Sequence, residues 1–443
     1  MKKVVIFASV ALIAVIAAGF YFYNSNFYNS NNEIPLQEES SSSSGEQIIL
    51  ENSSEKTEEP KEIFKIIYPT LTYEGAYNGP LYATSEQVGI GYPIEKYFSN
   101  LDRNGVNWFI GFYTFSEEPK ESNLIGEAGV GYVISVVQKY PRRVLPFYNP
   151  GFGGEEVEPI VGDKLTAIYA RNLKSTKEIV GENFVLGLGE IETQEWKIAH
   201  NDPKVNQLFD LAKSNNINFM FHPVASKIDQ VDQIAKAYPN QKIIIHMYRE
   251  DLDNSKNKVI KILQENENIY FSIDAAHIAH SNKRDIVYEY EKSTVTASKS
   301  AFISDFDSNY KKILSDAVSD YKPLVEAVPN KVLWGTEAGP EYTFEPEVYD
   351  RLIKISRELI GQMPLEHQEF FAYKNAMSAF GEGVIFDKEI KFIDTSSWTE
   401  CANVQINECD AQCEIPDMDI LTIEQETCFR ECLIEKHCID SGE

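Results

Sequence analysis

Short apolar runs alternate with helix-length amphipathic stretches from Ile66 to Thr336. The apolar runs predict strands at Ile66 to Thr72, Val106 to Thr114 and Arg143 to Tyr148, and three more ending at Glu190, His222 and His246. Ile269 to Ser272 and Lys331 to Thr336 complete the set. Helices are predicted between them, among others at Ile94 to Asn104, Val130 to Tyr140, Lys164 to Val180 and Lys311 to Ala327. Runs apolar on both faces, separated by helices, call for a parallel sheet. Eight such strand-then-helix units close a (β/α)8 TIM barrel of the α/β class, and the length fits. An open doubly wound sheet would want a Gly-rich phosphate loop after an early strand. The Gly-rich turn Pro150 to Gly154 follows the third strand and lacks that spacing. The barrel is expected to occupy residues 63–395.

The two ends have other patterns. After Met1-Lys2-Lys3, the run Val4 to Tyr23 carries no charge and is long enough to cross a bilayer as a helix. It closes with Phe20-Tyr21-Phe22-Tyr23, an aromatic group suited to a membrane interface. Residues 1–23 therefore read as an uncleaved single-pass transmembrane anchor, with the body extracytoplasmic at the cell membrane. A cleaved signal segment and a secreted body is the alternative. Residues 24–62, rich in Asn, Ser and Glu and including Ser40 to Ser44, form a linker too polar to offset its ordering entropy.

Cys401, Cys409, Cys413, Cys428, Cys432 and Cys438 all fall in the last segment, residues 396–443, with none in the body. An even number in a short extracytoplasmic segment implies disulfides, with zinc the competing use. The inner four form two C-x-x-x-C units, a spacing that puts each pair on one helix face. Pro416 breaks the first helix, and Thr422 with Gln425 suits the start of a second. Antiparallel packing of the two favours Cys409 with Cys432, Cys413 with Cys428 and Cys401 with Cys438, the other pairings staying open. The segment resembles disulfide-stapled helical hairpins built on twin C-x-x-x-C units, and it could bind a protein partner.

The net charge is −27, and the ends carry much of it. Glu33 to Glu62 holds nine acids against two lysines, and the segment from Cys401 onward holds eleven acids against two basic residues. With no basic footprint, nucleic acid and anionic lipid are excluded as expected partners.

Parallel strands place their C-terminal ends at one edge, so Glu190, His222 and His246 would converge where barrel enzymes carry their chemistry. One carboxylate and two imidazoles suit a divalent ion, zinc above all, with room for water. Each residue alone reads more readily as a cap or a hydrogen-bonded core group. Their shared position on successive strands favours a site. Glu192 shares the strand face of Glu190 under period-two alternation and could replace it. His277 and His280 read as polar loop residues, His200 and His367 as helix-surface residues, and His437 belongs to the hairpin.

Several motifs resemble the metal-dependent amidohydrolase superfamily, in particular its amidohydrolase-2 and TatD-like branches. The eighth strand runs into Gly335-Thr336-Glu337 and Pro340, as GTD or GSD followed by Pro does there. Asn375-Ala376 with Phe380-Gly381 matches the closing helix, Gly189-Glu190-Ile191 the fourth strand, and Leu101 to Val106 the first helix and second strand. The resemblance spans Ile66 to Gly381. The chain departs from it at the first strand, where the family carries H-x-H: no histidine precedes His200, and the corresponding region reads Leu71-Thr72-Tyr73-Glu74-Gly75. Glu337 also replaces the usual Asp. The resemblance implies one ion on Glu190, His222 and His246, as in deacetylase-like members, with Glu337 as proton acceptor. It implies a small-molecule substrate and hydrolysis of an amide, ester, lactone or phosphoester. A barrel without catalysis that binds a solute or protein is the alternative.

Overall fold

The computed structural model describes residues 49–50, 64–86, 92–113, 124–125, 130–149, 161–281, 284–290, 294–386, 390–391 and 432. Eight strands form the frame: β1 (Leu81–Glu86), β2 (Val106–Tyr113), β3 (Val144–Tyr148), β4 (Gly187–Ile191), β5 (Asn218–Phe221), β6 (Ile243–Ile245), β7 (Ile269–Asp274) and β8 (Val332–Gly335). They pair in parallel in chain order, and β8 pairs with β1 to close the barrel. The helices between them are α1 (Ile94–Arg103), α2 (Val130–Lys139), α3 (Asp163–Val180), α4 (Pro203–Ser214), α5 (Val231–Ala237), α6 (Arg249–Glu265), α7 (Val295–Ala327) and α8 (Pro346–Gly361).

Strand alternation builds two cores. Outward residues such as Phe109, Phe219, Ile243 and Trp334 pack under the helices. Inward ones, among them Tyr82, Trp108, Ile110, Met220, Ile244 and Leu333, fill the barrel as a second cluster. The same alternation continues past Met220 and Ile244 to point His222 and His246 inward at the mouth. The opposite end is plugged by Ala376 and Phe380, and Asn375 Nδ2 donates to the carbonyls of Pro329 (2.7 Å) and Val332 (2.8 Å) at the foot of β8. The Asn-Ala sequence read as a family motif is therefore the barrel's floor.

Two elements differ from expectation. The first strand is Leu81–Glu86, and residues 64–80 lie ahead of it as turns and extended chain. In that segment Ile67 pairs with a side chain rather than a strand: its N–H donates to Asn107 Oδ1 at 2.6 Å and its carbonyl accepts from Asn107 Nδ2 at 2.8 Å. Buried Arg357 ties the following stretch down, donating to the carbonyls of Tyr77 (2.8 Å) and Gly79 (2.9 Å). The mouth position thus belongs to Thr84-Ser85-Glu86, not to Leu71 to Gly75. The second difference is α7, which starts at Val295 rather than Lys311, with the Thr294 hydroxyl capping Ala297 N–H at 3.2 Å.

His200, expected at a helix surface, is buried in the turn before α4, where its Nδ1 accepts from Val224 N–H at 3.2 Å. Among the described residues no helix is long and apolar enough to cross a membrane. The Val4 to Tyr23 run, the 24–62 linker apart from Ile49–Leu50, and the pairing of the hairpin cysteines lie outside the described residues. Of those cysteines Cys432 is described, buried and disulfide-bonded.

Candidate metal site at the barrel mouth

Three strand ends deliver the predicted donors. Midway along β4 the backbone swings tightly past β5: Gly189 has φ +138°, and a Cβ there would stand 2.6 Å from the Met220 carbonyl oxygen. Only glycine fits, and the peptide joining it to Glu190 is cis. Glu190 then faces His222, just past β5, and His246, just past β6. Glu190 Oε1 lies 3.5 Å from His222 Nε2 and abuts His246 Nε2. The two imidazole rings are 3.7 Å apart between centroids. Glu337, two residues past β8, completes the group: one ligand atom from each of Glu190, His222, His246 and Glu337 lies within 4.8 Å of the others. All four are buried.

The main chain fixes Glu337 in an unusual conformation. Its φ is +47°, in the left-handed region that non-glycine residues seldom occupy. Its N–H donates to the Ser85 carbonyl at 2.7 Å, so the first strand holds the turn after the eighth. The left-handed turn brings the carboxylate back over the barrel axis, with Oε2 at 3.6 Å from His246 Nδ1.

Around this group lie residues that sequence reasoning placed elsewhere or passed over. Asp274 ends β7, and its Oδ2 sits 3.3 Å from His246 Nδ1, while Oδ1 accepts from Ser272 Oγ at 2.8 Å and from Ser85 Oγ. His277, read as a loop residue, is buried on the short helix Ala275–Ile278, with Nε2 at 3.2 Å from Glu337 Oε2. Its signal in the sequence was its place three residues after Asp274, the polar residue that ends β7. His280 is also buried, with Nδ1 at 3.2 Å from Glu250 Oε1. Glu86 at the end of β1 accepts from Tyr97 Oη and Thr336 Oγ1. Glu192 is next to Glu190 but is not one of the four convergent donors.

Electrostatically the pocket packs buried carboxylates and imidazoles against one another. Burial, reinforced by the neighbouring Glu192, pushes the Glu190 carboxyl up. Burial also raises Glu192, to about 7, and Glu86, to about 7. His222 is held well below its ordinary range by burial and by the facing His246 and His277, so it stays neutral with a lone pair to offer. Burial would lower His246 too, but the carboxylates of Glu190, Asp274 and Glu337 outweigh it and hold the ring above its ordinary range. Glu190 Oε1, His246 Nε2 and Glu337 Oε2 are buried without a hydrogen bond. Each such atom costs on the order of 1–3 kcal/mol, a penalty that a shared cation removes. The residues present fit a divalent ion.

No family model matches the chain, and no curated protein sequence does. Solved structures do. A probable 2-pyrone-4,6-dicarboxylic acid hydrolase from Acinetobacter baumannii, with citric acid bound, is 14% identical with a TM-score of 0.40, the match covering 68% of this chain and 99% of that one. An amidohydrolase from Burkholderia multivorans with bound HEPES is 7% identical with a TM-score of 0.42, over 69% and 100%. A dihydroxybenzoic acid decarboxylase from Polaromonas sp. JS666, with manganese and 2-nitroresorcinol, is 13% identical with a TM-score of 0.38, over 68% and 96%. The barrel stands on its own strand pairing, and the site on its own donor atoms.

Proposed function

We propose that this chain is a metal-dependent hydrolase that cleaves an amide, ester, lactone or phosphoester of a small molecule. The observation that carries the reading is the convergence of Glu190, His222 and His246, buried, with Glu190 Oε1 and His246 Nε2 in contact yet free of any hydrogen bond. These three residues would hold one divalent ion, with zinc the first choice for a donor set of two imidazoles and a carboxylate. When bound, the ion supplies Lewis acidity to the pocket.

The chain's own groups do the rest. Asp274 positions His246: its Oδ2 at Nδ1 fixes which ring nitrogen faces Glu190, and two serine hydroxyls hold the carboxylate still. Glu337 is the catalytic residue. Its Oε2 is buried and takes part in no hydrogen bond, so it is available to accept a proton from the attacking water and return it to the leaving group. Tyr248, its ring tilted against that of His222 at 5.0 Å between centroids, forms one wall and directs its hydroxyl to Glu195 Oε1 at 3.2 Å. Substrate choice belongs to the loops of the mouth.

The reading also places the barrel on the outer face of a membrane, tethered by the Val4 to Tyr23 run through the acidic linker, with the crosslinked C-terminal hairpin as the surface for any protein partner. The uncharged length of that run and the confinement of all six cysteines to the last segment support this. The test of function is hydrolysis over a panel of esters, lactones, amides and phosphoesters by the zinc-loaded chain beside a His222→Ala/His246→Ala variant. Turnover that disappears with chelator, returns with metal and is missing in the variant is expected. Absence of turnover across the panel, with metal bound, would favour a binding protein.

A further inference from the structure

We propose that a second divalent cation is held beside the first by Asp274, His277 and Glu337, on the β7 side of the mouth. This rests on the reading of Glu190, His222 and His246 as ion ligands, because Glu337 is common to both donor groups. One ligand atom from each of Asp274, His277 and Glu337 lies within 4.8 Å of the others, and all three residues are buried.

Hydrogen bonding does not account for the cluster. His277 Nε2 is 3.2 Å from Glu337 Oε2, and Nδ1 is 3.8 Å from Asp274 Oδ2. Yet neither ring nitrogen, nor Glu337 Oε2, has a hydrogen-bond partner with acceptable geometry. A histidine buried to 1% exposure with both nitrogens unused is an expensive core residue and a suitable ligand.

Charge gives an independent reason. Among the described residues, the ion pairs of Glu190, Asp274 and Glu337 are all with histidines, so no lysine or arginine neutralises them. Glu192, with Oε2 buried, adds a fourth carboxylate next to Glu190. Buried carboxylates without a lysine or arginine partner are costly, and a bound cation offsets that cost. Two carboxylates and one imidazole suit manganese or zinc.

The experiment loads the full chain with manganese(II), dialyses it against metal-free buffer to remove loosely held surface ions, and measures metal per chain together with the electron paramagnetic resonance spectrum. Two ions per chain with a spin-coupled signal are expected, falling to one uncoupled ion in His277→Ala and in His277→Gln. Circular dichroism of the variants reports their folding, and if they do not fold the wild-type count and coupling decide. A single uncoupled ion in the wild type, retained by the His277 variants, overturns the second site while the first stands. No retained ion in any form overturns both.

Discussion

His246 is gripped from three sides, by Glu190 at Nε2 and by Asp274 and Glu337 at Nδ1. If Asp274 sets the ring's tautomer, Asp274→Asn should weaken zinc binding by about 10–100-fold while leaving the circular dichroism spectrum unchanged. Competition against a chromophoric chelator measures this. An unchanged affinity would remove Asp274 from the account. His200 provides a pH prediction away from the mouth. Burial lowers its pKa from 6.5 to about 4. The unfolded chain therefore takes up this proton near pH 6.5 and the folded chain only near 4. The stability that depends on the neutral ring is complete above pH 6.5 and is lost as pH falls through 4, about 3 kcal/mol in all. In His200→Asn that part of the acid dependence should vanish, so its denaturant midpoint relative to wild type should rise between pH 7 and 4.5. A constant difference would contradict the assignment.

At the scale of elements, the strands set the donors and the turns after them set their angles. Within β4, Gly189 passes close to β5, and a methyl group there meets backbone rather than a movable side chain. Gly189→Ala should cost on the order of 2–4 kcal/mol in urea unfolding. A cost within error of zero would mean that β4 and β5 do not approach as described. This scale also shows what the sequence could reveal. Seven of the eight strands were legible because their apolar runs are buried on both faces. The first was not: Leu81–Glu86 reads LYATSE and turns Thr84 to Ser272 Oγ at 3.0 Å inside the barrel, whereas the more apolar 64–70 stretch is satisfied by the Asn107 side chain. The start of α7 was hidden by its Ser- and Asp-rich surface, although Ser298, Phe302 and Phe306 recur at helical spacing on its buried face. Glu190, His222 and His246 were legible because a polar residue ending an apolar run stands out. His277 was not, since burial of a helix one turn long is set by what packs over it.

For the molecule as a whole, the barrel supplies rigidity and the mouth supplies chemistry. The extracytoplasmic reading predicts that denatured, unreduced chain offers no thiol to a labelling reagent and that all six cysteines react after reduction. Cys432 is already accounted for as disulfide-bonded. Six free thiols in freshly isolated protein would contradict both the crosslinked hairpin and its compartment. The central claim is the ion itself. Anomalous X-ray scattering at the zinc absorption edge, from crystals of the zinc-loaded chain, tests it most directly. The account predicts a strong anomalous peak enclosed by Glu190, His222 and His246, missing in crystals of the His222→Ala/His246→Ala variant. Zinc-loaded crystals with no peak there, or with peaks only at surface carboxylates, would contradict it.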